Sequence, residues 1–233
     1  MTETDVYFDV EFDHDIAIIT MCRRENKINE QFMEKFHAAL DTVLRNPAVK
    51  ALITTGTGRF YNNGVDVDYT NTLPDQELNN LHDKLSSVFA RIMTFPLPTV
   101  AAINGHAYGA GGIFALIHDH VIMQTKRGWW CLNEVHLKIQ MRRDVIMLLK
   151  GKLNQGRALQ ETVVLGRRFT AEEALSAGIV HEICAPEDLM PRAVTWIRNN
   201  LPKSGYDRGH LQLMKQDLYK DVVNTLQGKT AKL

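Results

Sequence analysis

The sequence predicts an α/β domain with a helical C-terminal third, and three observations carry that prediction. Short apolar runs of β type alternate with stretches of helical periodicity up to about residue 140. From Met141 onward the pattern is mostly helical. No Gly/Ser/Pro-rich linker, low-complexity tract or internal repeat divides the 233 residues, a length that buries a substantial core without disulfides or metals.

Residues 6–12 and 16–21 flank Asp13-His14-Asp15 and read as a β-hairpin. Asn29 is placed to cap a helix whose apolar positions Phe32, Phe36, Leu40 and Val43 recur at helical spacing before Pro47. Residues 49–55 form a buried strand and residues 56–71 a loop. Pro74 then opens a long helix striped by Leu78, Leu81, Leu85, Val88 and Ile92, which Pro96 and Pro98 end. Residues 99–103 return as a strand, the glycine run at 109–112 begins a helix reaching Ile117, and β segments follow around 121–124 and 129–132. Leu211, Met214, Leu218 and Val222 mark one face of a last long helix, expected to pack on the core or on another subunit.

Lysine plus arginine and aspartate plus glutamate each number 27, so the formal charge is zero and nucleic acid is not an expected partner. Cys22, Cys131 and Cys184 are far apart and odd in number, which fits thiols in a reducing compartment. The first ten residues are acidic and lack the apolar run of a secretory signal. No stretch reaches the roughly 18 uninterrupted apolar residues of a membrane span. Ala231-Lys232-Leu233 matches the small-basic-leucine pattern of the C-terminal peroxisomal address, so a peroxisomal location and an import-receptor partner are expected.

Two glycine-centred loops are the most informative feature: Asn63-Gly64-Val65-Asp66, and Asn104-Gly105-His106-Ala107-Tyr108-Gly109-Ala110-Gly111-Gly112. Both lie beyond the ends of predicted strands, where open parallel sheets bind ligands. A helix start at the second adds roughly half a positive charge. Residues without bulky side chains let a substrate carbonyl approach bare backbone N–H groups, which stabilise negative charge as it develops. Downstream, Glu134 is a single carboxylate in an apolar setting. The second loop lacks the G-x-G-x-x-G spacing and the acidic residue about 20 positions on that a dinucleotide site requires, so no nicotinamide cofactor is expected. His118-Asp119-His120 lacks a further ligand cluster and reads as a polar turn. His136 follows Glu134 at strand spacing and is expected on the same side, while Asp66 reads as a residue holding its loop.

Arg59-Phe60-Tyr61-Asn62-Asn63-Gly64-Val65-Asp66, Pro98-Thr99-Val100-Ala101-Ala102-Ile103-Asn104-Gly105-His106-Ala107, Cys131-Leu132-Asn133-Glu134-Val135 and residues 169–180 occur in the order that resembles the enoyl-CoA hydratase/isomerase (crotonase) superfamily. Within it the chain is most like the plant-type peroxisomal Δ3,Δ2-enoyl-CoA isomerases. The resemblance covers most of the chain, from the hairpin to about Val180. It implies a crotonase-type ββα spiral core over residues 1–190, a helical region over 191–228 packing on the core or a neighbouring subunit, and a tail at 229–233.

It also implies an acyl-CoA thioester held by the backbone N–H groups of Val65 and Ala110. Pantetheine would run over Gly64, Gly109 and Ile113 would contribute to the substrate site, and Lys27, Arg23 and Arg24 are candidates for the CoA phosphates. Coenzyme A is part of the substrate, and neither a metal nor a redox cofactor is implied. Hydratases of the superfamily carry two glutamates; here the first position is Ile113, and no acidic residue occurs from Asn104 through His118. The implied activity is therefore isomerisation of 3-enoyl-CoA to trans-2-enoyl-CoA in fatty-acid β-oxidation, with Glu134 the sole proton carrier. The alternatives are a hydratase or thioesterase on the same fold, or a non-catalytic acyl-CoA-binding module. One departure stands out: Lys138 occupies a position where the isomerases carry glycine. A homo-oligomer, a trimer by resemblance, is the implied assembly.

Overall fold

The computed structural model describes residues 6–153 and 156–228. The expected hairpin is β1 (Phe8–Asp13) and β2 (Ile16–Met21), paired antiparallel and turning at His14, whose φ is +55°. Asn29 caps α1 (Glu30–Arg45): its side-chain oxygen accepts from the Phe32 N–H at 2.9 Å, satisfying a first-turn donor. β3 (Ala51–Gly56) follows. The span read as loop instead holds β4 (Phe60–Asn62) and the single turn α2 (Val67–Thr70). Pro74 precedes α3 (Asp75–Met93), and β5 (Thr99–Ile103) leads into β6 (His106–Tyr108), a strand the sequence reading missed. α4 (Ala110–Leu116), β7 (His120–Gln124) and β8 (Trp130–Cys131) complete the first part.

The remainder comprises α5 (Arg143–Lys152), α6 (Arg157–Val163), α7 (Ala171–Ser176), β9 (Glu182–Cys184), α8 (Leu189–Asn200), α9 (Arg208–Leu218) and α10 (Lys220–Leu226). β9 is a further strand within the span expected to be mostly helical. None of the described helices is long and apolar enough to cross a membrane. Residues 229–233, including the Ala231-Lys232-Leu233 tripeptide, lie outside the described residues.

One sheet runs β1-β2-β3-β5-β7-β9 and is parallel from β2 onward. Parallel strands are covered on both faces, so their apolar runs are continuous and successive side chains go to opposite sides. Ile16, Ala51, Ile53, Val100, Ala102 and Ile122 point to one face, where α8 covers them with Leu189, Ala193 and Ile197. Their neighbours Ala17, Ile19, Leu52, Ala101, Ile103, Val121 and Met123 point to the other face and join the main core. A second, smaller parallel sheet runs β4-β6-β8. Its neighbour α4 is held by an aromatic cluster in which Phe114 meets Phe36 edge-on at 5.0 Å and Phe32 at 6.1 Å. All three rings are essentially fully buried, so truncating any one costs about 3–5 kcal/mol and would loosen the helix that opens at the second glycine loop.

The last helix differs from expectation. The chain breaks at Tyr219 into α9 and α10. Val222, Val223 and Leu226 of α10 enter the main core, whereas Met214 and Leu218 of α9 are exposed. The residue α9 buries is Lys215, whose Nζ donates to the Leu97 carbonyl at 2.9 Å and pairs with Asp119. A charged group is tolerated there because its partners are fixed by the fold: the same Asp119 oxygen accepts from the Thr99 N–H at 2.8 Å.

Candidate active site

The smaller sheet explains how three distant segments meet. Because β4, β6 and β8 are parallel, their carboxyl ends lie on one side. Asn63-Gly64-Val65 leaves β4 there, Gly109-Ala110 leaves β6, and Asn133-Glu134 leaves β8. Strands of three residues or fewer thus deliver the glycine loops and the carboxylate to a common point.

The first loop is shaped by Asn62, whose buried side-chain oxygen accepts from the Gly64 N–H at 2.9 Å. Gly64 adopts φ +79°, and a Cβ there would lie 2.7 Å from the Tyr108 carbonyl and 3.3 Å from the Ala110 nitrogen. Only glycine permits the two loops to touch. Ile28 bridges to Val65 in parallel fashion, donating to the Gly64 carbonyl at 2.7 Å and accepting from the Asp66 N–H at 2.9 Å. That pairing turns the Val65 N–H away from Ile28. Ala110 is the first residue of α4, where N–H groups have no acceptor within the helix. Among the described residues neither the Val65 nor the Ala110 N–H meets a hydrogen-bond acceptor.

Gly109, at φ +51°, donates its N–H to the Cys131 carbonyl at 2.8 Å, tying the second loop to the Glu134 segment. A Cβ on Gly109 would lie 3.4 Å from Glu134 Oε1, so the carboxyl stands directly over this loop. Glu134 Oε2 is buried without a hydrogen-bond partner. Burial pushes its pKa above the ordinary glutamate value, opposed only in part by a hydrogen bond from its own backbone.

These groups line one cavity of about 440 Å3. Val65, Gly64, Gly109, Ala110, Ile113 and Glu134 all border it, and Glu134 is the sole carboxylate among its described lining residues. Ile113, 2% exposed, presents hydrocarbon one turn along α4 from Ala110. The lining of the cavity combines polar residues such as Lys27 and Asn63 with an apolar set of Leu85, Phe89, Ile139, Met141 and Val145.

Of the three basic candidates, Lys27 borders the cavity. Its ammonium lies 3.2 Å from Asp68, 3.5 Å from Asp66 and 3.5 Å from Glu25. Burial works to lower its pKa, but the Asp68 hydrogen bond and the three carboxylates outweigh that and hold it above the ordinary lysine value. Asp66 thus holds its loop through this cluster. Arg23 stacks on the Tyr7 ring at 4.8 Å and Arg24 is exposed; neither is among the residues bordering the cavity.

The expected position of His136 is corrected by the structure. Residues 134–138 form a turn, with the Ile139 N–H donating to the Glu134 carbonyl at 2.9 Å, so strand spacing does not apply. His136 Nε2 lies 3.2 Å from the Gly166 carbonyl instead. Lys138, standing where the family resemblance implies glycine, adopts φ +58°, the left-handed conformation that glycine takes freely. His118 is fully buried between Thr54 Oγ1 and the Phe114 carbonyl, both at 2.9 Å, and burial pushes its pKa down to about 4. His120 stacks on Trp196 at 4.3 Å.

Among the polar residues of the cavity that sequence reasoning passed over are His82 on α3 and Arg142 just before α5. His82 occurs at helical spacing between Leu78 and Leu85, a signal that was present but masked by the apolar stripe around it.

Two unengaged main-chain N–H groups and one largely buried carboxyl bordering a half-apolar cavity are an arrangement suited to proton transfer beside a developing negative charge. The chain belongs to the enoyl-CoA hydratase/isomerase family, whose profile it matches over residues 11–232. It is 36% identical over 132 residues to enoyl-CoA delta isomerase 3 of Arabidopsis thaliana, a match covering 55% of this chain and 56% of that relative, so the aligned part spans little more than half of the relative's length. It is 26% identical over 202 residues to the Arabidopsis thaliana protein named enoyl-CoA delta isomerase 1, peroxisomal, covering 85% and 83% of the two chains. The structure of human mitochondrial delta3-delta2-enoyl-CoA isomerase superposes with a TM-score of 0.85 at 22% identity, over 96% of this chain and 87% of that one, which establishes a shared fold.

Proposed function

We propose that this chain isomerises 3-enoyl-CoA to trans-2-enoyl-CoA in fatty-acid β-oxidation, with Glu134 as the only acid and base. The observation that carries this reading is the lone carboxyl of Glu134, its Oε2 buried and unpartnered, sharing a cavity with two unengaged N–H groups and with Ile113 where a second carboxylate would serve hydration. The Glu134 carboxylate removes a proton from C2 of the thioester. The C2–H bonding pair shifts toward the carbonyl, whose oxygen gains charge between the Val65 and Ala110 N–H groups. Protonated Glu134 then returns the proton at C4 as the double bond moves to C2–C3.

Each such donor is worth about 2.7–4 kcal/mol and a positioned base about 10²–10⁴ in rate, so the hole and the carboxyl contribute comparably. Adding water would require a second group to activate it, and the cavity offers no other carboxylate among its described lining residues. The apolar lining suits the acyl chain and the polar lining beside Lys27 suits the pantetheine, while the ammonium of Lys27, already surrounded by Glu25, Asp66 and Asp68, offers the nucleotide phosphates no free charge.

Replacing Glu134 with Gln is expected to lower the rate of 3-enoyl-CoA isomerisation by about 10²–10⁴ while acyl-CoA binding persists. Release of 3-hydroxyacyl-CoA or of free CoA from enoyl-CoA by the native protein would instead establish the hydratase or thioesterase alternative. Ala231-Lys232-Leu233 and the peroxisomal label carried by an Arabidopsis relative support a peroxisomal address read by an import receptor. Deleting those three residues should leave a fluorescent fusion of the chain diffuse in the cell, and organelle import without them would refute that part of the proposal.

A further inference from the structure

The wall that α3 gives the cavity is not uniformly apolar. Along α3 the residues facing it are Leu78, His82, Leu85 and Phe89, spaced four, three and four apart on one helical stripe. His82 is the one polar side chain in that row, half-buried, and neither ring nitrogen has a hydrogen-bond partner among the described residues. Across from it, Arg142 borders the same cavity and comes close enough to act on His82 electrostatically. Burial, first, and the Arg142 guanidinium, second, hold the imidazole below its ordinary pKa, against the opposing pull of Asp144 and Asp83, so the ring is neutral at neutral pH. A neutral imidazole offers one donor and one acceptor.

Charge decides what such a group can recognise. Arg142 is already engaged by Asp83 at 2.8 Å and Asp144 at 3.4 Å, and Asp144 also accepts from Ser86 at 2.7 Å. Two carboxylates surround one guanidinium, so a third, brought in on a ligand, would be repelled. A hydroxyl carries no such penalty and can both donate to and accept from the ring. A plain hydrocarbon chain would instead cover the imidazole and strip it of water without replacing the lost hydrogen bonds, which is unfavourable.

We infer that His82 makes the acyl pocket selective for CoA thioesters whose chain carries a hydroxyl beyond the reacting carbons; this rests on the acyl-CoA reading above. His82 is a specificity residue in this account and takes no part in the proton transfer.

The test is calorimetric titration of the full chain with octanoyl-CoA and with a set of octanoyl-CoA thioesters hydroxylated singly at each carbon of the distal half, alongside an isomerase assay on unsubstituted 3-octenoyl-CoA. At least one hydroxylated ester is expected to bind about three- to tenfold tighter than octanoyl-CoA, the worth of one net hydrogen bond. His82→Leu should erase that preference, and His82→Gln, which keeps a donor and an acceptor, should retain part of it. Equal affinities across the set for the native protein overturn the inference, and this comparison needs no variant to fold. A preference that survives in His82→Leu overturns it equally. If 3-octenoyl-CoA is isomerised while the affinities are equal, only the His82 assignment falls. If octanoyl-CoA neither binds nor its 3-enoyl counterpart turns over, the acyl-CoA reading falls with it.

Discussion

A carboxyl like that of Glu134 sits in tension between folding and chemistry. Its Oε2 has no partner, and burial makes the charged form costly, so the side chain holds a proton more readily than a solvated glutamate. A proton carrier benefits, because a conjugate acid closer to neutrality returns its proton to carbon more easily. The base must be ionised to begin the cycle, so kcat/KM should fall as pH drops through a value above the ordinary 4.5. A pH–rate profile measured on unsubstituted 3-enoyl-CoA checks this, and an acidic limb at or below 4.5 would contradict it. For stability the sign is opposite to that of a salt-bridged carboxylate. With the folded pKa raised, the contribution is full below the unfolded value and is lost as pH rises through the folded one. Glu134→Gln should therefore raise the melting temperature at neutral pH, with the gain shrinking in acid. At this scale the glycine loops were legible because backbone chemistry forces particular residue types into them, and Glu134 only through the family resemblance of the motif around it. His82 and Arg142 were not, since residues 60 positions apart share a cavity only after α3 and the segment before α5 pack together.

Elements were readable where a local rule fixes them. Asn29 and Pro74 mark helix starts because capping and proline geometry act over a few residues. β4, β6, β8 and β9 have only two or three residues each, too few for a period of two to declare itself, and three of these were missed or absorbed into neighbouring segments. The segment after Glu134 shows the same limit: Val135, Leu137 and Ile139 alternate with His136 and Lys138 as a strand would, yet they form a turn whose geometry needs φ +58° at Lys138. A lysine in that conformation is strained relative to glycine. Lys138→Gly is expected to stabilise the fold by about 0.5–1 kcal/mol, the relief of left-handed strain less the greater freedom glycine gives the unfolded chain. Urea unfolding of the two proteins measures the difference, and a destabilised variant would show that the lysine side chain contributes more than its backbone costs.

Across the whole molecule, the two-sided burial of the parallel sheet was visible as apolar runs at residues 49–55 and 99–103, whereas the break at Tyr219 was not, because a stripe from Leu211 to Val222 looks continuous in sequence. The break leaves Leu213, Met214 and Leu218 between 55% and 72% exposed on α9, beside Tyr206 at 47%. We propose that this row is covered by another copy of the chain in a homo-oligomer, a trimer by family resemblance. Light scattering of the native protein should report the oligomer, and Met214→Glu with Leu218→Glu together should reduce its mass, because two charges placed in an apolar contact outweigh its burial. A native monomer would refute the assignment. In the proposed mechanism the amides of Val65 and Ala110 receive the developing negative charge. Two of the three groups that would handle that charge are peptide N–H groups, which no codon change except one to proline deletes. Inheritance of this activity therefore depends on preserving the path of the chain, and its genetic weak points are Gly64, Gly109 and Gly111, where any added atom would bend that path.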